Sequence, residues 1–223
     1  MEKHFKLTDE SIVLPSGVRL YRIECTKKIK WADAGDKGGF VEKDDNLSGN
    51  AWVSGDAWVS GDARVFDNAR VFGDACVSGD AWVFGDARVS GDARVFDNAR
   101  VFGDACVSGD AWVFGDARVS GDACVSGNAQ VSGDACVSGN ACVSGNAQVS
   151  DNNTHCGFDC FGSANRHTHA YLTGDGSVEI TCGCFRGSIG EFERKVKETH
   201  AGTVFERQYM AVLALIKLKF GLE

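Results

Sequence analysis

From Leu47 to Gln148 the chain repeats a six-residue pattern without a break. An aliphatic residue opens each unit, a small or aromatic residue follows, then Gly (Asp in two units), then Asp or Asn, then Ala, then a variable residue, as in Val53-Ser54-Gly55-Asp56-Ala57-Trp58. Seventeen units run in phase, with Val opening sixteen of them, Leu opening one, and Ala at the fifth position of all seventeen. No α-helix has a six-residue period, and Gly with Asp or Asn every sixth residue would break one. A fixed period of this length predicts a parallel β-solenoid. Each x-Val-x triplet reads as a short strand, with Val on one side and its neighbours on the other. Gly-Asp or Gly-Asn then makes the corner, where unusual backbone angles are needed. Val and Ala are expected inside, and the second and sixth positions outside.

The flanking segments lose this pattern. Residues 1–46 read as an N-terminal cap, with a turn at Leu14-Pro15-Ser16-Gly17 and a strand from Val18 to Cys25 whose two faces are both mixed. Residues 151–223 read as a C-terminal cap. Arg166 to Phe185 predicts a hairpin around a two-residue Asp175-Gly176 turn, pairing Thr173 with Val178, Tyr171 with Ile180, His169 with Cys182 and His167 with Cys184. That register puts Tyr171, Val178, Ile180, Cys182 and Cys184 on one face. Two amphipathic helices follow. Ser188 with Glu191 forms a capping box before Ile189, Phe192 and Val196, and Thr203 with Glu206 opens a second helix striped by Phe205, Tyr209, Val212, Leu213, Ile216 and Phe220. Both helices are expected on the hairpin and on the last rung. A solenoid needs such caps, because its end rungs expose strand edges and interior.

The repeats resemble the hexapeptide-repeat family of left-handed parallel β-helices. The lead-in Gly35-Asp36-Lys37-Gly38-Gly39-Phe40-Val41 to Asn46-Leu47-Ser48 is similar to a branch common in bacterial and phage genomes and often labelled transferase. The resemblance implies a mainly β, left-handed parallel β-helix with three hexads per triangular coil. At ~4.8 Å per rung such a prism is on the order of 27 Å long. It also implies a phage or prophage origin and a bacterial cytosol. For function it is a weak guide, since one fold carries many activities.

Three hexads per coil sort the outward residues onto three faces. The first carries Trp52, Arg70, Arg88, Cys106, Cys124 and Cys142, with Phe66, Phe84 and Phe102 beside them. The second carries Trp58, Cys76, Arg94, Trp112, Gln130 and Gln148, with Phe72, and the third Arg64, Trp82, Arg100, Arg118 and Cys136, with Phe96 and Phe114. Residues 65–93 recur unchanged at 95–123, a step of five hexads, so the two copies land on different faces. Outward aromatics and arginines have two explanations. Like side chains on neighbouring rungs can pack as ladders, or they can anchor an interface. The second is favoured, since three Phe in register make a larger apolar strip than a lone monomer shows. Candidate interface residues are Trp52, Phe66, Arg70, Phe84, Arg88 and Phe102, together with Trp82, Phe96, Arg100, Phe114 and Arg118. A protein partner and a homo-oligomer, dimer or trimer, are the expected assemblies.

Charge and composition narrow the alternatives. The net charge is −8; the N-terminal cap balances nine basic with nine acidic groups, while the repeats hold six Arg against thirteen Asp. Acidity therefore sits at the corners, which argues against a nucleic-acid binder. No signal peptide and no apolar run of membrane-spanning length is evident. Five of the ten Cys lie at outward sixth positions, and reduced thiols in a cytosol are the simpler reading. Acyltransferases of this fold use a His base and zinc anhydrases several His, yet residues 47–150 contain no His, Glu or Lys. The expectation leans away from an enzyme, with an acyltransferase bearing its site between protomers as the alternative. No cofactor is expected. One metal constellation remains, because the expected hairpin register would gather His167, His169, Cys182 and Cys184, a set suited to tetrahedral zinc. Against it, that face also holds the apolar residues, and unmetallated Cys is commonly buried.

Overall fold

Identical hexads can stack only if each coil contains a whole number of them. The structure, a computed structural model, describes residues 3–222. The hexads form seventeen two-residue strands, β4 (Trp52–Val53) to β20 (Gln148–Val149), each joining the sixth residue of one unit to the Val of the next. Every third strand pairs in parallel, so Trp52 stands opposite Arg70 and Arg88 opposite Cys106, one coil of three hexads apart. The sixth-position residues lie on the three faces read from the sequence, in sheets ordered β4-β7-β10-β13-β16-β19, β5-β8-β11-β14-β17-β20 and β6-β9-β12-β15-β18. This is a parallel β-solenoid of nearly six coils. Each coil is tied to the next by backbone hydrogen bonds from residue i to residue i+17: Trp52 N–H donates to Ala69 O at 3.0 Å, and Ser54 N–H to Val71 O at 2.9 Å. The Val and Ala rows from Val53 to Val137 have no solvent exposure and form one continuous core.

The corners explain the fixed Gly. Gly91 has φ +68, and a Cβ there would lie 3.0 Å from Gly109 N and 3.1 Å from Gly109 O. Both the backbone conformation and the corner of the adjacent coil exclude a side chain. Two corners nevertheless carry Asp, Asp67 at φ 60 and Asp97 at φ 58. Their carboxylates turn along the stack and accept N–H groups from the adjacent corner, Gly85 to Asp67 and Gly115 to Asp97, each at 3.3 Å. Asp tolerates the left-handed region better than most residues, and this hydrogen bond offsets its crowding.

The N-terminal cap continues one wall. Strands β1 (Phe5–Val13), β2 (Arg19–Cys25) and β3 (Lys37–Val41) form an antiparallel meander, and β3 runs parallel to β5 (Trp58–Val59), pairing Phe40 with Trp58. The mixed faces of the Arg19–Cys25 strand follow from irregularities in its pairings. Register shifts between Leu7 and Ser11 and between Arg22 and Glu24 let Leu20, Ile23 and Cys25 all be buried although they do not alternate. Asn46 closes the first coil: its buried amide donates to Gly61 O and Ala63 O, and its Oδ1 accepts from Lys43 N–H.

The C-terminal cap departs from the sequence reading. Its sheet has four antiparallel strands, β21 (His155–Phe161), β22 (Arg166–Leu172), β23 (Val178–Cys182) and β24 (Phe185–Ser188), of which the hairpin β22–β23 alone was expected. The hairpin pairs Leu172 with Val178, Tyr171 with Glu179, His169 with Thr181 and Thr168 with Cys182, one residue off the expected register. The cause is a three-residue loop, Gly174-Asp175-Gly176. Thr173 N–H donates to Ser177 O at 2.9 Å, Gly176 takes φ +80, and the Asp175 carboxylate accepts from Ser177 N–H and the Thr173 hydroxyl. Tyr171 therefore faces the solenoid with His169, while Ala170, Val178, Ile180 and Cys182 face the helices.

Helices α1 (Ile189–His200) and α2 (Val204–Lys219) start at the predicted caps, Ser188 and Thr203. Their apolar stripes pack with the outer face of the sheet into a second core that contains no solenoid residue, so the sheet, not the helices, covers the last coil. Among the described residues no helix is long and apolar enough to cross a membrane.

The corner geometry separates two glycines that share a left-handed conformation. Gly17 has φ +86 and open space where a Cβ would stand. Gly17→Ala should cost about 1 kcal/mol from backbone conformation alone. Gly91→Ala adds the clash with Gly109 and should cost roughly 2 kcal/mol or more. Denaturant titration of both variants checks the order, and equal costs would remove the crowding argument.

Candidate functional site

Stacking of identical hexads places identical side chains one rung apart. Phe66 lies on Phe84 with ring centres 4.8 Å apart and planes 2° apart, and Phe84 on Phe102 at 5.0 Å and 5°. Trp82 meets the edge of Phe66 at 6.0 Å and sits between Arg64 and Arg100, whose guanidinium carbons lie 5.9 and 5.3 Å from the Trp82 ring. Arg118 follows Arg100 on the next rung. The duplicated segment rebuilds the cluster on the second face: Phe96 stacks on Phe114 at 5.0 Å, Trp112 meets Phe96 edge-on at 6.0 Å, and Arg94 lies over Trp112 at 5.2 Å. Trp82 and Trp112 are 36% and 37% exposed, so both copies present nearly the same ring to solvent.

These contacts correct the expected grouping. A Phe at the second hexad position follows the Val of its own strand, before the corner, so it belongs with the sixth residue that precedes that Val. Phe66, Phe84 and Phe102 therefore stand on the third face with Arg64, Trp82 and Arg100, not on the first with Arg70 and Arg88. Phe96 and Phe114 stand on the second face with Arg94 and Trp112, and Phe72 on the first, where Arg70 lies over it at 4.9 Å. Arg88 stays on the first face, between Arg70 and Cys106. Two proposed anchors are also covered by the N-terminal cap. Trp52 is buried beside His4, which bonds Ala51 O at 2.8 Å. Arg70 lies under Trp31 at 4.6 Å, and the Trp31 indole N–H donates to Asn68 O. Arg64, Arg94 and Trp112 join the surface instead. Assigning each Phe to its own strand would have found them.

The hairpin register also decides the metal constellation. Cys182 faces the helices and accepts a hydrogen bond from Thr168 Oγ1 at 3.3 Å, whereas His169 faces the solenoid, near Cys142 O at 3.4 Å. His167, two residues before His169 on the same strand, shares its side of the sheet, and Cys184 is exposed in the β23–β24 turn. The four residues expected to share a face do not, and among the described residues no three His, Cys, Asp or Glu are grouped to hold a metal ion.

A histidine layer lies there instead, between the sheet and the last coil. His169 Nδ1 points at a carbonyl, so it carries the proton; His169 Nε2 then accepts from His155 Nδ1–H at 2.9 Å. His167 Nδ1 pairs with Asp159 Oδ1 at 2.6 Å, and Gly157 leaves room for the His167 ring. The Nε2 atoms of His155 and His167 are buried without a partner. Tyr171 completes the layer, donating to Glu179, which in turn binds Arg186. Burial, with His155 beside it, pushes the His169 imidazole down to about 3. Burial and the Lys219 ammonium also lower His155, and burial with the Glu179 carboxylate pushes the Tyr171 phenol up to about 12. The sequence reading missed His155 and Asp159 because it did not predict strand β21, and the one-residue register error put Tyr171 on the opposite face of the hairpin.

Beside this layer a pocket of about 370 Å3 opens between the last coil and the sheet, lined by Asn140, Cys142, Asn165, Arg166, His167, Thr181 and Gly183.

Comparison with known families supports the repeat. A family profile described as the YdcK beta solenoid repeat matches residues 63–79, 87–101, 93–109 and 117–133. The solenoid thus carries repeats similar to that family over part of its length. No curated protein matches the chain.

The histidine layer makes the C-terminal cap acid-sensitive. His169 is depressed in the folded state, so its contribution is complete above the unfolded value near pH 6.5 and is lost as pH falls towards about 3. Acidification from pH 7 to 5 should lower stability by about 2 kcal/mol through this group. His155 adds in the same direction. Hydrogen exchange of the β22 amides as a function of pH reads the effect. His169→Gln should flatten the slope, and an unchanged slope in that variant would exclude the histidine as its source.

Proposed function

We propose that this protein is a non-enzymatic solenoid binding protein whose third face, Arg64, Trp82, Arg100 and Arg118 with the Phe66-Phe84-Phe102 ladder, docks a protein partner and a second copy of the chain. The observation that carries the reading is the half-exposed aromatic ladder flanked by guanidinium groups on a rigid wall. Trp, Phe and Arg supply most anchor energy at interfaces, and a preformed face loses little entropy on binding. The partial copy of the cluster on the second face, with Phe96, Phe114, Trp112 and Arg94, gives a second, smaller docking place, which suits a dimer or trimer. In this reading the protein is phage- or prophage-encoded, acts in the bacterial cytosol, and blocks a host macromolecule such as a defence protein. The acidic corners favour a protein over a nucleic acid as that partner.

Ring burial at ~25 cal/mol per Å2 of apolar area contributes several kcal/mol to such a contact. Phe84→Ser with Phe102→Ser should leave the circular dichroism of the coil unchanged. Self-association, measured by light scattering, and partner capture should weaken on the order of tenfold to a hundredfold. An intact fold with unaltered mass and capture would reduce the strip to ladder packing.

A second reading, an acyltransferase, draws on the pocket beside the C-terminal cap, where Asp159 orients His167. Against it, the His167 Nε2 that would serve as base is buried over Gly157 rather than open to the pocket. Calorimetry with acetyl-coenzyme A should show no micromolar binding, and binding lost in His167→Gln would reverse the choice.

A further inference from the structure

We propose that Cys142 and Cys124 are a peroxide-reactive dithiol, in which Cys142 is the attacked thiol and Cys124 the one that resolves it into a disulfide across the last two rungs of the first face. All ten cysteines are free thiols. Cys106, Cys124 and Cys142 stand in register on three successive rungs, Cys106 opposite Cys124 and Cys124 opposite Cys142. Adjacent rungs are ~4.8 Å apart, inside the ~4.4–6.8 Å between Cα atoms that a disulfide spans.

Three observations single out one pair and one direction. Cys124 and Cys142 stand opposite each other on the last two rungs of this face, whereas Cys106 turns its thiol towards Asp104 O within its own coil. Cys142, unlike Cys124, opens to the 370 Å3 pocket, whose Asn140, Arg166 and Thr181 suit a small polar oxidant. Arg186 lies against the Gly145 corner, and its charge acts on Cys142. The adjoining Cys124 thiol, helped by the Arg186 charge, lowers the Cys142 thiol, and the adjoining Cys142, with burial, raises Cys124. Cys142, the member of the pair that faces the pocket, is therefore the thiol that meets the oxidant, and Cys124 is the one placed to resolve it.

The chemistry balances with hydrogen peroxide as the oxidant. The Cys142 thiolate attacks one peroxide oxygen; the S–O bond forms, the O–O bond breaks, and the departing hydroxide takes a proton to become water. Sulfur is oxidised to the sulfenic acid and the peroxide is reduced. The Cys124 sulfur then attacks the Cys142 sulfur, the S–S bond forms, the S–O bond breaks, and hydroxide leaves as water with the Cys124 proton. Two thiols and one peroxide yield one disulfide and two waters.

The test treats the full chain with hydrogen peroxide and maps its peptides without reduction. A Cys124–Cys142 link should form in the wild type and in Cys106→Ser. In Cys124→Ser, dimedone should instead trap the sulfenic acid on Cys142. Alkylation of Cys142 should titrate with a midpoint below the ordinary thiol value of about 8.5, and Arg186→Gln should move that midpoint upward. The proposal is overturned if Cys142 stays free under conditions that oxidise the exposed Cys136, Cys160 and Cys184, if the main link is Cys106–Cys124, or if the midpoint is that of an ordinary thiol. Circular dichroism of each variant confirms that the coil is intact.

Discussion

The hydrogen bond from the N–H of one residue to the carbonyl seventeen residues on sets the spacing of everything built on the coil. It holds neighbouring coils at one strand spacing, so the Phe66-Phe84-Phe102 rings stand 4.8 and 5.0 Å apart because the backbone does. At that distance aromatic faces gain by parallel contact, while like charges repel. The third face inserts Trp82 between Arg64 and Arg100, yet it leaves Arg100 directly beside Arg118. The same spacing crowds the corners, which leaves Gly as the residue of least cost and Asp tolerable where its carboxylate finds an N–H on the adjacent corner. One backbone repeat thus dictates the core, the corner chemistry and the spacing of surface groups.

The two ends of the stack are closed by opposite means. The N-terminal meander extends a wall in its own plane, and Asn46 satisfies the corner carbonyls of the first coil. At the other end a sheet lies across the last coil, with its apolar face turned away towards two helices. The face it presents to the coil is polar, made of His155, His167, His169, Tyr171, Glu179 and Thr181. Polar groups sandwiched between two sheets are satisfied by one another or left bare, and both occur here.

What was legible in the sequence follows from range. The hexad repeats its environment, so strand positions and the inward Val and Ala rows could be read directly, while the three-hexad coil, and with it the face of every sixth-position residue, was implied by the resemblance to hexapeptide-repeat β-helices. The capping residues Ser188 and Thr203 are local signals and were equally clear. The aromatic cluster was half legible. Its residues stood out, but hexad bookkeeping cut the chain between Val and its neighbouring strand residue, which moved each Phe one face too far. The C-terminal cap resisted for a different reason. Whether Gly174 belongs to the turn is decided by the Thr173, Asp175 and Ser177 side chains, and that single residue moves Tyr171 and His169 to the opposite side of the sheet from Cys182. Strand β1 was not anticipated, and the mixed burial of β2 depends on bulges that only its pairing partners impose.

The thirty-residue duplication gives the solenoid a property of its own. Thirty residues are five hexads, one and two-thirds coils, so the second copy is rotated by a third of a turn about the axis while its core contacts are unchanged. Length and surface are therefore inherited separately. Insertion or deletion of any whole hexad preserves the buried register, but only steps of three hexads return each outward residue to its own wall. Every other step shuffles aromatic, cationic and thiol groups among the walls, letting a lineage try new surface combinations without rebuilding the interior.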